Sequence, residues 1–543
     1  MSTIAARRRA PAWTSVIGAT DHKTLGRNLL IAAFAFFIAG GVLALLMRLE
    51  LAAPGMQFVS HDTYSELFTM HGSTMIYLFV TPLALALGVY LVPLQIGAAD
   101  ISAPRLANVG FWLYITGGLT LESGFLTAQG PGKAGWFATW PLSTSGATPG
   151  TGMNLWVLGV IMSALGMIAI GVCLLGTIMR RRAPGMTLLR MPPFTWTQLV
   201  TALMVIGGFP VLVLVMTLLY LDRQGVHIFN GFEGAIDYQN LFWFYGHPVV
   251  YVMFFPFVGC ALEAIATNTG RRLFGYRLFA LSLLLFTALS MSVWAHHMYT
   301  TGGITNRYFA FTSTALLVPA GIEYFDMLGT LIGGSIIYRT SLLFGVTFFL
   351  QFLVGGASGI FVASPTLDYH AHDGYFVIAH FHYTLFAGSI FGFFAGVYHW
   401  FPKAFGVTLR EGLGKLHLVL LIIGTNMTFF PMFFLGQEGM PRRVATYPRS
   451  TGWETLNTVE TVGAFIIALA IVVFLWNVVV SLRSHVAAGP DPWDGQSLEW
   501  ATSSPPPRHN FDVLPPVRSY APLLDLKKAG EWPRRRELEE TPA

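Results

Sequence analysis

The chain has 543 residues, of which 54% are hydrophobic, 14% aromatic and only 11% charged, whereas about a quarter of an average soluble domain is charged. That composition excludes a disordered chain, a soluble multidomain enzyme and an electrostatic binder of nucleic acid, and leaves a polytopic protein with the lipid bilayer as its solvent. The formal net charge of +5 is gathered in a few short basic clusters, which read as the cytoplasmic side of a membrane rather than as an anionic ligand site.

In chain order, Arg7, Arg8 and Arg9 come first. The segment 1–27 around them lacks the short apolar stretch and small-residue cleavage site of a signal peptide, and reads as a cytoplasmic N-terminal segment. Runs of about 20 apolar residues, the length that crosses a hydrocarbon core, then predict twelve transmembrane helices. They lie at 28–49, 66–96, 108–128, 153–179, 197–221, 238–267, 276–298, 309–338, 343–363, 375–401, 414–436 and 457–483. The fold class is therefore all-α, a twelve-helix membrane bundle over 28–483 with a Pro-rich cytoplasmic tail, 484–543. Starting inside places Arg180, Arg181, Arg182 and Arg190 inside, together with Arg271, Arg272 and Arg277 and with Lys403, Arg410 and Lys415. The outer loops 50–65, 222–237 and 364–374 are nearly free of Lys and Arg. An even count puts both termini in the cytoplasm. Loop 437–456 is the exception, because Arg442, Arg443 and Arg449 face outward against the charge bias. They call for a specific anionic partner.

Cys173 and Cys260 lie in apolar runs and supply neither a disulfide framework nor a thiolate metal site. The chemistry sits in the 15 histidines. Six fall inside or at the ends of predicted helices, where an ionisable side chain is costly and marks function by default. His71 stands in Met70-His71-Gly72-Ser73-Thr74-Met75, and His247 in Trp243-Phe244-Tyr245-Gly246-His247-Pro248-Val249-Val250-Tyr251. His296 and His297 are adjacent, and His380 and His382 are two apart. Positions two apart differ by about 200° around a helix, so His380 and His382 point to opposite sides and can each serve a metal centre. Neutral imidazole ligates copper and haem iron without any cysteine. His247 and Tyr251, four apart, share a helix face. A lone buried histidine is more often a hydrogen-bonded core residue; six in four compact groups are not. A twelve-helix secondary transporter is the rival of another class, but transporters carry repeats and paired broken helices, and no convincing internal repeat is present.

At these motifs the sequence resembles the catalytic subunit of the haem–copper oxygen reductases, from Asp21-His22-Lys23 to Ser504-Pro505-Pro506-Pro507-Arg508-His509-Asn510-Phe511. The resemblance implies two haems and one copper. His71 and His382 would be the axial ligands of a low-spin haem, and His380 the proximal ligand of a high-spin haem. His247, His296 and His297 would hold the copper. Tyr251, covalently linked to His247 in this family, would supply an electron and a proton when the oxygen bond breaks. Arg48 matches the arginine that bonds the formyl group of the low-spin haem, which fits an a-type haem without fixing the haem type. Arg442 and Arg443 match the pair that binds haem propionates and so answer the call for an anionic partner. Asp368, His372 and Asp373 match an outer cluster that in relatives includes a magnesium site at His372 and Asp373. Trp136 and Trp243 match aromatic positions beside the haem and copper sites.

The implied activity is that of cytochrome c oxidase in a bacterial plasma membrane, reducing oxygen to water. The implied partners are a subunit II carrying a dinuclear copper, a subunit III and cytochrome c. Whether protons are pumped, and whether quinol replaces cytochrome c, the sequence leaves open.

The departures from the family pattern fall on proton pathways. Val249 stands where the family has a glutamate after His-Pro. The channel-mouth aspartate is retained as Asp100, but two channel asparagines are replaced by Val89 and Ala107. Tyr245 is expected to place a hydroxyl near the missing carboxylate. In the second channel the family lysine has become Glu323, within Pro319-Ala320-Gly321-Ile322-Glu323-Tyr324-Phe325, and a serine has become Leu262, beside Glu263. Glu263 and Glu323 are expected to form a carboxylic-acid relay towards Tyr251, bridged by water across roughly 16 Å of depth at about 1.5 Å per residue. These losses keep open a haem–copper nitric oxide reductase, which needs no elaborate proton channel. Tyr251 favours oxygen.

Overall fold

The computed structural model describes residues 18–484 and 486–533; Arg7, Arg8 and Arg9 lie outside them. The described residues are almost entirely helical, with only two isolated β-bridges, Gly374 to Pro441 and Val407 to Ala487. Nine of their helices are long and apolar enough to cross a membrane: His22–Glu50, His61–Gln95, Thr151–Arg180, Pro193–Val226, Gly231–Thr269, Thr340–Ala363, Tyr375–Phe405, Glu411–Gln437 and Glu454–Ser484.

Three of the twelve expected spans take another form, so the count of twelve uninterrupted spans is not reproduced. The span expected at 108–128 is Pro104–Glu122, of 19 residues. The helix expected at 276–298 ends at Ser290, and His296 and His297 sit on a separate 3-10 turn, Trp294–Met298. The span expected at 309–338 is two helices, Asn306–Ala315 and Leu317–Leu331, stopped at the Gly333-Gly334 pair. Hydropathy alone runs through such breaks because Ile332, Ile336 and Ile337 remain apolar after the helix has ended.

The helices pack by close backbone approach. A side chain at Gly117 would meet the Gly159 carbonyl at 2.8 Å, and one at Gly110 would meet the Gly166 carbonyl at 2.8 Å. Pro104–Glu122 and Thr151–Arg180 therefore touch along a small-residue seam, as helices without a hydrophobic driving force between them do. Gly231–Thr269 is buried along most of its length, whereas His22–Glu50 and Glu454–Ser484 lie at the periphery.

The C-terminal tail closes the end of the bundle on which Asp100 lies. Asn510 Nδ2 donates to the Ala98 carbonyl at 2.7 Å, Gln496 Nε2 donates to the Ala266 carbonyl at 2.8 Å, and Tyr520 stacks on Tyr276 at 3.8 Å. Lys527 pairs with Asp491 at 2.5 Å, both side chains being buried.

Asp21 caps the first helix by accepting the Thr24 amide at 2.9 Å. Burial on its own raises the Asp21 carboxyl, but the Thr24 bonds and the Lys23 and His22 charges outweigh it and hold the carboxyl below its ordinary value. The cap is therefore complete above the ordinary carboxylate range of about pH 4 and is lost as pH falls through the lower folded value. Asp21→Ala is expected to weaken the first turn by about 1 kcal/mol. Hydrogen exchange at Thr24 and Leu25 reads this; unchanged protection there would contradict it.

Candidate functional site

His247, His296 and His297 come together although 50 residues of chain separate the first from the last. Their candidate ligand atoms all lie within 4.8 Å of one another. Pro248, which cannot donate a helix hydrogen bond, places His247 at a helix break between Gly231–Gly246 and Pro248–Val252. The 3-10 turn brings the other two rings to it. Ring centroids are 4.4 Å apart for His247 and His296, and 4.3 Å for His296 and His297. Trp243 stacks on His297 at 4.1 Å and fixes its plane. His296 Nδ1 is engaged by the Ser313 hydroxyl at 2.7 Å, while His247 Nε2 is buried with no partner. A set of neutral imidazoles with no carboxylate suits copper rather than magnesium or calcium. The Tyr251 ring lies 4.9 Å from that of His247 and packs on Phe255 and Phe286.

The other three histidines share one arrangement. His71 Nδ1 engages the Gly40 carbonyl at 2.9 Å, and His382 Nδ1 engages the Ile378 carbonyl at 2.9 Å. His380 Nδ1 lies 3.1 Å from both the Gly355 carbonyl and the Ser358 hydroxyl. Each ring thus keeps Nε2 for a metal while its other nitrogen fixes the orientation, as ligating histidines do. His382 opens a π-helical turn, His382–Ala387, and His71 precedes another, Thr74–Val80; such turns frequently mark functional positions. Phe429 stacks on His382 at 4.3 Å. At Gly359 a side chain would press on the His380 ring at 3.1 Å. The donor set fits haem ligation at all three rings, and Gly359 keeps side-chain bulk off the His380 ring.

Of the arginines in loop 437–456, Arg442 finds its partner in the expected cluster. Arg442 pairs with Asp373, whose carbonyl also accepts the Arg442 amide at 2.8 Å. His372 Nδ1 lies 3.1 Å from Asp368, and His372 Nε2 lies 3.9 Å from Asp373. Burial raises the Asp373 carboxyl, yet the Arg442, His372 and Arg443 charges outweigh it and hold it below its ordinary value. Arg443 makes no ion pair among the described residues; it lies over Phe137 at 5.0 Å, and burial, with the Arg442 charge, pushes it down to about 10. Arg442 Nε is buried without a partner. Two half-buried guanidiniums, of which only Arg442 is paired to a carboxylate among the described residues, fit further carboxylates such as propionates. Trp136 meets Trp243 edge-to-face at 5.7 Å, which ties this side to the histidine triad.

The proton-path residues separate into three places. Asp100 accepts the His22 amide at 3.0 Å and the Ile101 amide at 2.7 Å. Val89 and Ala107, which replace the two channel asparagines, are buried and apolar. Tyr245 is fully buried with its hydroxyl unpartnered, and Val249 is buried as well. Glu263 lies against Gln95 Nε2 and the Phe194 amide, both at 3.4 Å, and Gln95 Nε2 also reaches Glu499 at 3.1 Å. Glu323 is buried with Oε1 unpartnered, and its electrostatic neighbour is Asp326 one turn on. No hydrogen bond joins Glu263 to Glu323 among the described residues.

Sequence reasoning missed Glu460, Asp326 and Glu499. Glu460 pairs with Arg48 at 2.9 Å. As the only carboxylate between 455 and 484 it carried the same signal as Glu323, an ionisable residue in an apolar span. Asp326 carried it too. Glu499 comes from the tail, where one more surface charge gave no signal; there burial pushes its carboxyl up while bonds from Gln95, Trp400 and Ser497 pull it back.

Comparison with known proteins agrees with this geometry. The profile of the family described as Cytochrome C and Quinol oxidase polypeptide I matches residues 24–466. The chain is 46% identical over 515 residues to the probable cytochrome c oxidase subunit 1-beta of Nocardia farcinica, covering 94% of this chain and 88% of that protein. It is 45% identical over 525 residues to cytochrome c oxidase subunit 1 of Corynebacterium efficiens, covering 96% and 90%. Its fold is similar to a solved heme-copper terminal oxidase dimer, with a TM-score of 0.73 at 18% identity over 94% of this chain and 89% of that one.

Proposed function

We propose, from the premise that the chain belongs to the cytochrome c and quinol oxidase polypeptide I family, that it reduces oxygen to water with electrons from cytochrome c. It is an integral membrane protein, the catalytic subunit of a terminal oxidase that uses haem and copper and works with other oxidase subunits. We further propose a-type haems, a magnesium ion at His372 and Asp373, a copper-carrying subunit II, a subunit III, and a bacterial plasma membrane with both termini in the cytoplasm. The observation that carries it is the Tyr251 ring, 4.9 Å from a ring of the triad. Oxygen cleavage needs four electrons and a proton at the site, and a phenol there can supply one of each.

When bound, the haems and copper carry electrons and hold oxygen. The chain does the rest. His71 and His382 would hold one haem and His380 the other. His247, His296 and His297 would hold the copper, and Trp243 keeps the His297 plane in place. Tyr251 Oη gives up its proton in the reaction and must be reprotonated from the side on which Asp100 lies. On the Asp100 route, Val89 and Ala107 stand where the family's channel has two asparagines, and neither has a polar group. The acidic route through Asp326 and Glu323 therefore supplies Tyr251, and Glu263 with Glu499 and Gln95 forms a second carboxylic-acid site nearer the tail.

The test is oxygen against nitric oxide consumption by the purified oxidase in vesicles, with external pH recorded. Oxygen consumption with uptake of protons from one side is expected, and faster nitric oxide turnover would overturn the reading. Glu323→Gln is expected to lower turnover by the roughly 10²–10⁴-fold of a lost proton-transfer group. Full turnover with normal proton uptake in that variant would sink the acidic route.

A further inference from the structure

Arg48 ends the helix His22–Glu50, deep enough in the protein to be only 7% exposed. A guanidinium in that position needs a counter-charge, because an isolated charge in a low-dielectric interior is far too costly to keep. Glu460, fully buried on Glu454–Ser484, supplies it: Arg48 Nη1 lies 2.9 Å from Glu460 Oε2. The second terminal nitrogen is taken as well. Arg48 Nη2 donates to the Asn457 backbone carbonyl at 2.8 Å and to its side-chain oxygen at 3.0 Å. Thr461 Oγ1 donates back to the Arg48 carbonyl at 2.8 Å. Tyr375, on the helix that leads to His380 and His382, borders the same pair.

The guanidinium is thus clamped by one turn of Glu454–Ser484, and one donor is left over. Arg48 Nε is buried and has no partner. A buried N–H of a charged group without an acceptor is expensive, and it is held rigidly by the bonds on the other two nitrogens. What it lacks is a carbonyl-type acceptor on its open edge.

We infer that Glu460 is a positioning residue for the low-spin haem: it orients Arg48 so that Nε donates to a carbonyl substituent of that haem, and its negative charge offsets the cation that the haem would otherwise feel. This rests on the haem reading of His71 and His382 given above and adds to it a residue outside the ligand set. Two consequences follow from charge alone. A nearby cation favours the reduced, more negative haem, so the carboxylate lowers the haem's reduction potential. A cation bonded to a conjugated carbonyl also draws electron density outward and moves the absorption band to longer wavelength, so the carboxylate limits that displacement.

The test is a redox titration of the purified oxidase, followed by absorption. Glu460→Gln keeps the shape and an acceptor oxygen but removes the charge. It is expected to raise the reduction equilibrium of the low-spin haem at least tenfold, about 59 mV for one electron, and to move its band to longer wavelength. The high-spin haem, held by His380, is expected to move less. Glu460→Asp, which restores the charge, is expected to return both readings towards those of the unaltered protein. Because loss of one partner of a buried pair is strongly destabilising, the double variant Glu460→Gln with Arg48→Gln, which removes both charges, provides a second reading. Its haem is expected to have a band at shorter wavelength than the unaltered protein, the Nε donor being gone. An unshifted potential and band in Glu460→Gln would overturn the inference, as would an unshifted band in the double variant. A failure of the haem reading is distinct from either, since the unaltered protein would then lack the spectrum of a bis-histidine haem.

Discussion

His297→Asn is expected to lose its copper and to stop consuming oxygen, while keeping the low-spin haem. His297 Nε2 lies 3.3 Å from His247 Nδ1, and His297 is one of three rings whose ligand atoms converge within 4.8 Å among the described residues. The amide is shorter, and its oxygen is a harder ligand than imidazole nitrogen, so copper selectivity falls along with affinity. Loss of a group that merely orients a ligand costs about 10–100-fold in metal affinity or activity; loss of the ligand itself costs more. His71 and His382 are on other segments and rest on their own carbonyl contacts, so the bis-histidine spectrum is expected to survive. Metal analysis beside an absorption spectrum decides it. One copper per chain with unchanged turnover would mean that this triad is not the copper site.

The second large effect is at Tyr251. Tyr251→Phe keeps the ring that packs on Phe255 at 5.8 Å and on Phe286 at 5.4 Å, so the fold and both metal contents are expected to stay intact. What goes is the hydroxyl, and with it the proton at Tyr251 Oη. General acid–base groups contribute roughly 10²–10⁴-fold, and a loss of oxygen turnover in that range is expected. Turnover that survives within a few-fold would remove the phenol from the reaction and reopen the nitric oxide chemistry that does not require it.

These two variants differ in how readable their sites were. The spacing of His380 and His382 implied two rings on opposite sides of one helix, and their Nδ1 contacts differ: His380 reaches Gly355 and Ser358 on Thr340–Ala363, and His382 reaches Ile378 on its own helix. The triad of His247, His296 and His297 needed the resemblance, because 50 residues separate His247 from His297, and the turn that carries His296 and His297 was expected inside a helix. A hydropathy window reports how apolar a segment is, not where its helix stops. For the same reason Tyr276–Ser290 and the pair Asn306–Ala315 and Leu317–Leu331 had been drawn longer than they are.

The proton-path residues were the least readable. Glu263 and Glu323 were expected to act in one relay because both are carboxylates in apolar spans. The expected link between them runs through water, and each carboxylate also has its own neighbours, Glu263 with Gln95 and Glu499 and Glu323 with Asp326. Which carboxylates face one another depends on helix rotation and on a tail more than 200 residues away, and neither leaves a periodic trace.

By itself the sequence determined the membrane-embedded, helical character of the chain and singled out six histidines as candidate metal ligands, because burial in lipid and imidazole ligation both select residue types at readable spacings. Only the tertiary structure decided how each charge is held: Arg48 by Glu460, Arg442 by Asp373, Glu263 beside Glu499. A charge in a low-dielectric interior is tolerable only with a partner within a few ångströms, and that partner is chosen by packing between segments far apart in the chain.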